Sequence, residues 1–523
     1  MKHYKSGRKL NESIMNGVDK LADAVGATLG PRGRNVILKE KNKRPLITKD
    51  GVTVAKFVDF DDPFENLGAQ VIKQASEATN VGAGDGTTTA TVFARAILQK
   101  AQPHLVTGAS PVEIKKGLEL AATECVDGLR KLSRKIATAE DIEHVATISS
   151  NGDKGIGKLI STAVDKVGKG GAITIQPAQS NHTSLELMEG FQFDSGLLAN
   201  AFVTDERRGT MKLEDCIVLV TDRNITTIDE ILPALEIAAR DGRPFIIVAE
   251  DISGQALAAL IMNKMKGTMK VAGIKAPRYG EERRNILSDL AVSIGATFIS
   301  RDSGLSLREI QLKHFGTAQT IECDKNHTTV VGGNQDDEEV EKRIDALQKM
   351  IGDEQSLSVC EKIQERITRL ASAIAVIKVG GATEIEMIEK KHRVEDALEA
   401  VNSAQQEGII AGGSAMLLRV AKRINVDVEN EDQEIGVRIF KEAIREPFCK
   451  MLDNAGLSSD IFLEKVENHT NPEAGVDAST GEVVNMFTYG IIDPFKVTRC
   501  VIENATSAAS TLLTTQVGIV END

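Results

Sequence analysis

Residues 82–92 read GAGDGTTTATV, a run of glycines and hydroxyls of the kind that lets a backbone close around phosphate oxygens. A P-loop would end in Gly-Lys-Ser/Thr, its lysine meeting the β- and γ-phosphates and its hydroxyl holding magnesium. Here there is no such lysine, and an aspartate, Asp85, stands in the loop instead. A bare carboxylate repels a polyphosphate, so the loop suits phosphate only if Asp85 shares a Mg²⁺ ion with the phosphate oxygens. Helical patterns flank the loop on both sides. They put Thr87, Thr88 and Thr89 at a helix N-terminus, where unpaired N–H groups and the positive dipole end favour an anion. Gly84 and Gly86 allow the backbone to come close. The competing reading is an Asp-Gly-Thr-Thr helix cap that holds nothing.

Four more stretches carry similar chemistry. TLGPRGRN (28–35) is a glycine-rich turn after a helix, able to fold over a nucleotide or simply to stop the helix. TKDGVTVA (48–55) presents Asp50 on a tight turn, which is equally a hairpin tip. AGGS (411–414) permits approach to a ribose or base, or joins two elements. RVEDALEA (393–400) sets Asp396 on a charged helical face, where a solvated carboxylate is the ordinary outcome.

The elements that must position these residues fall into three blocks. Ile14, Val18, Leu21, Val25 and Leu29 recur at helical spacing until GPRG interrupts, and a short strand, NVILK, follows. ITKDGVTVAKFV reads as two apolar stretches broken at Asp50-Gly51, and helices resume over about 63–81, 87–101 and 111–133. In the middle, CIVLVTD (216–222), FIIVAED (245–251) and KVAGIKAP (270–277) alternate with amphipathic stretches at 226–240 and 253–266. That alternation predicts a βαβαβ unit on a parallel sheet, with no GxGxxG to mark a dinucleotide site. Helices return after 338, broken at AVIKVGGA (375–382) and at GIIAGGSA (408–415). The order helical, α/β, helical fits either three beads or an insertion, and the pattern leaves both open.

Bulk composition narrows the partners. A chain of 523 residues implies about three domains. Aromatics make up 3%, with no Trp, so a base-stacking platform is not expected. A net charge of −13 argues against nucleic acid. The acidic run DDEEVE (336–341) reads as a solvated helix start. Six scattered cysteines form no CxxC pair, which predicts neither zinc site nor disulfides and suits a reducing compartment. With no signal-peptide core and no run of 18 apolar residues, the expectation is a cytoplasmic or organelle-matrix protein without a membrane partner.

Eight stretches, in order, resemble the bacterial-type (group I) chaperonins, the GroEL family: LADAVGATLGPRGRNVIL, ITKDGVTVA, FENLGAQ, AGDGTTTATV, IAVIKVGGATE, RVEDAL, EGIIAGG and IIDPFKVTR. The likeness runs from about residue 10 to 517. It implies a multidomain α and α/β fold with an inserted middle. An equatorial ATPase domain would take 1–131 and 407–523, a hinge-like intermediate domain 132–188 and 375–406, and an α/β apical domain 189–374. It further implies ATP, Mg²⁺ and K⁺ as cofactors, sevenfold rings, single or double, and a small heptameric cochaperonin lid. By the same resemblance Asp85 is the magnesium ligand and Gly86, Thr87, Thr88 and Thr89 the phosphate cradle. Thr28, Leu29, Gly30, Pro31 and Lys49 would line the nucleotide, with Gly413, Asp477, Ala478 and Asp493 near ribose and base. Asp50 and Asp396 would position the attacking water. Non-native polypeptides would be captured on exposed side chains of Leu197, Leu198, Phe202, Leu232, Leu235, Leu257, Ile261 and Met262. Spacing alone would call those eight core.

The chain also departs from the family pattern. Leu197 and Ala201 stand where many relatives have tyrosine. Ser195 replaces a basic residue that in relatives pairs with the counterpart of Glu384, and Ser459 replaces an acidic one near Lys450, which implies weaker contacts within and between rings. Ser414 stands for a third glycine, and Asp477 for an asparagine. The sequence ends VGIVEND without Gly-Gly-Met repeats. A ring that holds clients without turning over ATP is the alternative reading.

Overall fold

The computed structural model describes residues 2–39, 45–168, 172–178, 180–206, 208–333, 337–353, 357–371 and 373–521. The chain forms two compact units: residues 1–162 with 381–523, and 163–380 inserted between them. The insertion, rather than beads in a row, is therefore the arrangement found.

The first unit is helical. Gly7–Gly26 buries Ile14, Val18, Leu21 and Val25 of the predicted stripe and adds Leu10, while Leu29 falls beyond the helix end and is half-buried. Pro63–Ala83 starts with proline at its first position and with Asp62 accepting from the Phe64 and Glu65 N–H groups. Thr87–Val106, Pro111–Leu132, Glu431–Ala443 and Phe495–Leu513 complete a continuous apolar core that includes Ile72, Phe93, Ile97, Phe440 and Ile502. Two helix crossings are backbone-close. A Cβ on Gly17 would lie 1.9 Å from the Glu65 carbonyl oxygen, and one on Gly117 2.0 Å from that of Gln433. Lys2–Ser6, which carries no strand signal, pairs antiparallel with Val517–Glu521.

The second unit is built on an eight-stranded sheet. Its order is Val271–Lys275, Phe245–Ala249, Met211–Val220, Gly316–Cys323, Thr328–Gly333, Ser184–Phe193, Ala373–Val379, Ile173–Pro177. The first three strands are parallel, with Ile217 opposite Phe245 and Phe245 opposite Val271. Helices Ile228–Asp241 and Gly254–Met265 lie between them in sequence, as crossover connections require. This is the expected βαβαβ unit. The rest of the sheet departs from the expectation, because four successive joins are antiparallel before a final parallel pair. Helix Asp337–Asp353 holds most of the acidic run, whose Asp336 lies outside the described residues.

The eight apical candidates divide. Leu232 and Met262 are 44% and 51% exposed, whereas Phe202 and Leu235 are 1% and 6% exposed and belong to the core. For those two the expected exposure is corrected: Leu235 lies three residues beyond Leu232, on the inward side of its helix, and Phe202 closes a 3₁₀ turn and packs its ring near Gly273 of the first sheet strand. Leu197, Leu198, Leu257 and Ile261 are half-buried against the same core. All six cysteines are free thiols, and burial pushes Cys125, Cys216 and Cys323 up to about 12.

Candidate functional site

Gly84 ends the Pro63–Ala83 helix in the left-handed conformation, its N–H donating to the Asn80 carbonyl at 2.7 Å. Gly86, also left-handed, is the N-cap of Thr87–Val106 and supplies no side chain to cap it. The first-turn N–H groups of Thr87, Thr88 and Thr89 therefore have no cap from the N-cap side chain. The Thr87 hydroxyl is buried and has no hydrogen-bond partner among the described residues. Between the glycines, an Asp85 oxygen accepts from the Gly86 N–H at 2.6 Å and the other from the Ser149 hydroxyl at 3.3 Å.

Three further segments converge on this loop. The turn after the first helix brings the Thr28 hydroxyl 3.3 Å from that of Thr88. Gly30, at φ 84°, is roofed by Met451, and Asn454 donates to the carbonyls of Gly26 and Leu29 at 2.9 and 3.0 Å. The Lys49 ammonium donates to the Gly30 carbonyl at 3.1 Å. Asp50 corrects the turn expected at its position. It is the N-cap of a helix, Gly51–Phe57, accepting from the N–H groups of Val52 and Thr53 at 3.1 and 3.0 Å. Gly51 touches the phosphate-loop helix so closely that a Cβ there would lie 2.2 Å from the Thr88 hydroxyl oxygen.

On the opposite side, strand Ile409–Ala411 pairs with Ile492–Pro494, placing Ile410 across from Asp493. The Asp493 carboxylate accepts from the backbone N–H groups of Gly413 and Ser414, ahead of helix Ala415–Arg423. Burial and then the charge of Asp85 raise Asp493 to about 6, against the pull of those two hydrogen bonds. Asp477 ends strand Ala474–Asp477 and turns back on Ser479 and Thr480. Burial pushes its carboxyl up, but those bonds outweigh it and hold the group below the usual range. Ala478 follows, buried. Pro31 is exposed and Leu29 half-buried.

Asp396 arrives from the Glu384–Glu407 helix. On that helix the Ser403 hydroxyl donates to the Ala83 carbonyl at 2.8 Å, and Glu399 packs where a Cβ on Gly84 would sit, 2.1 Å from its own Cβ. Stepping back along the stripe from 403 to 399 leads to 396. Asp396 thus continues the line that tracks residues 83 and 84 toward Asp85. Sequence reasoning misses Ser149, Asn454, Met451 and Glu399. Only their contacts reveal them, since each is hundreds of residues from, or unremarkable beside, the motif it touches.

The ligand set fits a magnesium-bound polyphosphate: an acidic loop residue, helix N–H groups with no side-chain cap, a hydroxyl without a partner among the described residues and a half-buried second carboxylate. A site of this kind on helices that flank an inserted α/β unit defines a class. From residue 21 to 522 the chain matches the TCP-1/cpn60 chaperonin family, and it belongs to that family. Family members are in general ATPases that bind non-native polypeptides and form rings. Among solved structures it is similar to chaperonin gp146 from the Pseudomonas aeruginosa bacteriophage EL, crystallised with ATP-BeFx. The two are 21% identical with a TM-score of 0.65, over 99% of each chain, a likeness of fold.

Proposed function

We propose that the chain is a group I type, ATP-driven folding chaperonin that captures non-native polypeptides and encloses them in a sevenfold ring under a small cochaperonin lid. The observation that carries the nucleotide site is Asp85 beside a helix start with no side-chain cap, whose Thr87 hydroxyl is buried without a hydrogen-bond partner among the described residues. The five-segment division into equatorial, intermediate and apical parts is supported by where the two units meet. Both crossings, at 162/163 and 380/381, fall inside the segments assigned to the hinge. Leu232 and Met262 are the outward-facing part of the capture surface, and a cytoplasmic setting is part of the same reading. Among the described residues no helix is long and apolar enough to cross a membrane.

A bound magnesium nucleotide would supply the phosphoanhydride bond and the charge that Asp85 is placed to meet. Thr87, Thr88 and Thr89 donate backbone N–H groups to phosphate oxygens, while Thr28, Leu29, Gly30, Pro31 and Lys49 close the cleft. Gly413, Asp477, Ala478 and Asp493 bound its ribose and base end. Asp396 and Asp50 would orient the attacking water. K⁺ is the second cation of the proposal. A holding ring with impaired turnover is the second reading, favoured by one fact: Asp50 is engaged as a helix cap.

Phosphate release with Mg²⁺ and K⁺ decides between them, measured for the parent and Asp396→Ala alongside nucleotide binding. Turnover in the parent, with binding but stalled turnover in the variant, supports the folding machine. Binding without turnover in both sends the assignment to the holding ring, and no binding in the parent removes the nucleotide site altogether.

A further inference from the structure

Asn224–Ile225 pairs in parallel with Asp251–Ile252, so the two helices that follow, Ile228–Asp241 and Gly254–Met265, start side by side. Their large apolar side chains that face solvent are Ile228, Leu232, Met262 and Met265, at 38, 44, 51 and 75% exposed. The two most exposed are thus thioethers. Met265 is not among the eight residues that the family resemblance implies. It stands three residues from Met262 on the last turn of their helix, hence on the same face.

That turn is held by groups other than sulfur. The Lys266 N–H donates to the Met262 carbonyl at 3.0 Å, the Thr268 hydroxyl to the Asn263 carbonyl at 3.0 Å, and the Lys264 ammonium to the Val203 carbonyl at 2.9 Å. A change at either thioether therefore leaves the turn in place. Met211, Met416 and Met486 are buried, shut away from an oxidant in solvent. Met350, on the Asp337–Asp353 helix, is as exposed as Met262 and lies outside the proposed capture surface, which makes it an internal control.

We propose that Met262 and Met265 are modification sites, oxidised to the sulfoxide by hydrogen peroxide, and that their oxidation turns off capture of non-native chains. This rests on the capture reading above. In the step, sulfur takes one oxygen of the peroxide: the S–O bond forms as the O–O bond breaks, and the sulfide gives up two electrons. The proton on the transferred oxygen passes to the departing one, which leaves as water. Two thiols reverse the change through a reductase, becoming a disulfide and releasing the oxygen as water. A flexible apolar side chain that moulds itself to many partners becomes a polar one that keeps its own water. Ile228 and Leu232 have no such chemistry and stay as they are.

The test is binding of an unfolded client chain by the parent before and after hydrogen peroxide, with the sulfoxide content of each methionine read by peptide mass. Affinity is expected to fall on the order of tenfold as Met262 and Met265 gain oxygen, the loss of two apolar contacts. A methionine sulfoxide reductase with its thiol reductant should restore it. In a partly oxidised sample, the client-bound protein should be poorer in sulfoxide than the unbound protein at 262 and 265 but equal to it at 350. For Met262→Leu/Met265→Leu the readout is the ratio of affinities with and without peroxide, expected to be unity. Capture that survives full oxidation at 262 and 265, bound and unbound fractions with equal sulfoxide there, or a Leu pair that still loses capture in peroxide would each overturn the proposal. The fractionation uses the parent alone, so it decides even where the Leu pair captures nothing. An untreated parent that captures no client is a separate result: it defeats the capture reading, and the proposal with it.

Discussion

Gly51 opens the Asp50-capped helix, a position where alanine ordinarily helps: exchanging a helical glycine for alanine gains ~0.5–1 kcal/mol. Here the sign should reverse. The new Cβ would sit 2.2 Å from the Thr88 hydroxyl oxygen, well inside contact distance, so the Gly51–Phe57 helix or the start of Thr87–Val106 must shift. Overpacking by one methyl costs ~1–3 kcal/mol. Removing the hydroxyl removes the clash, since the next atoms met are the Thr88 Cβ at 3.5 Å and its nitrogen at 3.6 Å. Gly51→Ala in a Thr88→Ala background should therefore be neutral or mildly stabilising. A multidomain chain does not unfold in one step, so the quantity to follow is local amide exchange over residues 54–57 without nucleotide. Gly51→Ala should lower protection there by about fivefold to a hundredfold, and the double variant should match Thr88→Ala. Parent-like protection in Gly51→Ala, or no rescue in the double variant, would show that the two helix starts do not abut as the geometry requires.

Asp493, raised from 3.8 to about 6, favours the nucleotide-free fold when protonated. Its contribution is complete below the unfolded value and disappears as pH rises toward 6 and beyond, so Asp493→Asn should gain stability over the parent across that window. The ceiling is ~3 kcal/mol, at about 1.4 kcal/mol per pH unit, and water reaching this half-buried group lowers it; urea midpoints at pH 4 and pH 7 that differ equally for both proteins would refute the assignment. Leu232→Glu should leave the inserted unit folded and abolish capture of an unfolded chain, whereas Leu235→Glu should unfold that unit by burying a charge. Near-ultraviolet circular dichroism and client binding separate these outcomes, and equal tolerance of both changes would contradict the burial pattern. Asp289, 1% exposed, accepts from Arg366 at 2.7 and 2.9 Å and from Arg343 at 3.0 Å. Asp289→Ala strands both arginines and should cost ~3–5 kcal/mol, seen as early melting of the inserted unit; an unchanged transition would mean the cluster contributes nothing.

What the sequence shows and what it hides have physical causes. The stripe Ile14, Val18, Leu21, Val25 is legible because one helix face meets one core, and periodicity records that directly. The three parallel strands are legible because both faces are covered, giving continuous apolar runs. Ser184–Phe193 and Gly316–Cys323 escape notice because antiparallel strands with one wetter face interleave Glu, Gln and Thr with their apolar residues. The Gly51–Phe57 helix escapes for a different reason. Its valines and threonine favour strand locally, and the decision is made by the Asp50 cap and by packing on Thr88. Leu235 and Phe202 show the limit of carrying a surface over residue by residue. A helical i,i+3 pair can straddle the edge of a core, so Leu232 faces out while Leu235 does not.

The aspartate that seems misplaced in a phosphate loop makes sense once the contacts around it are followed. A lysine contributes its charge on a long flexible stem. Asp85 has a short reach, so it can meet a cation only if the backbone beside it is held in place. Gly84 is pinned by Glu399, Ala83 by Ser403, and Asp85 itself by Ser149. Two of those three come from the helix that carries Asp396. Any movement of that helix away from the loop would release Gly84 and Ala83 and withdraw Asp396 together, so under the proposed roles metal position and water position would be set by one element rather than two. Charge introduced at 85 by a flexible lysine would uncouple them. On the proposed reading, the acidic loop is the version of a phosphate site that can be switched by displacing a single helix.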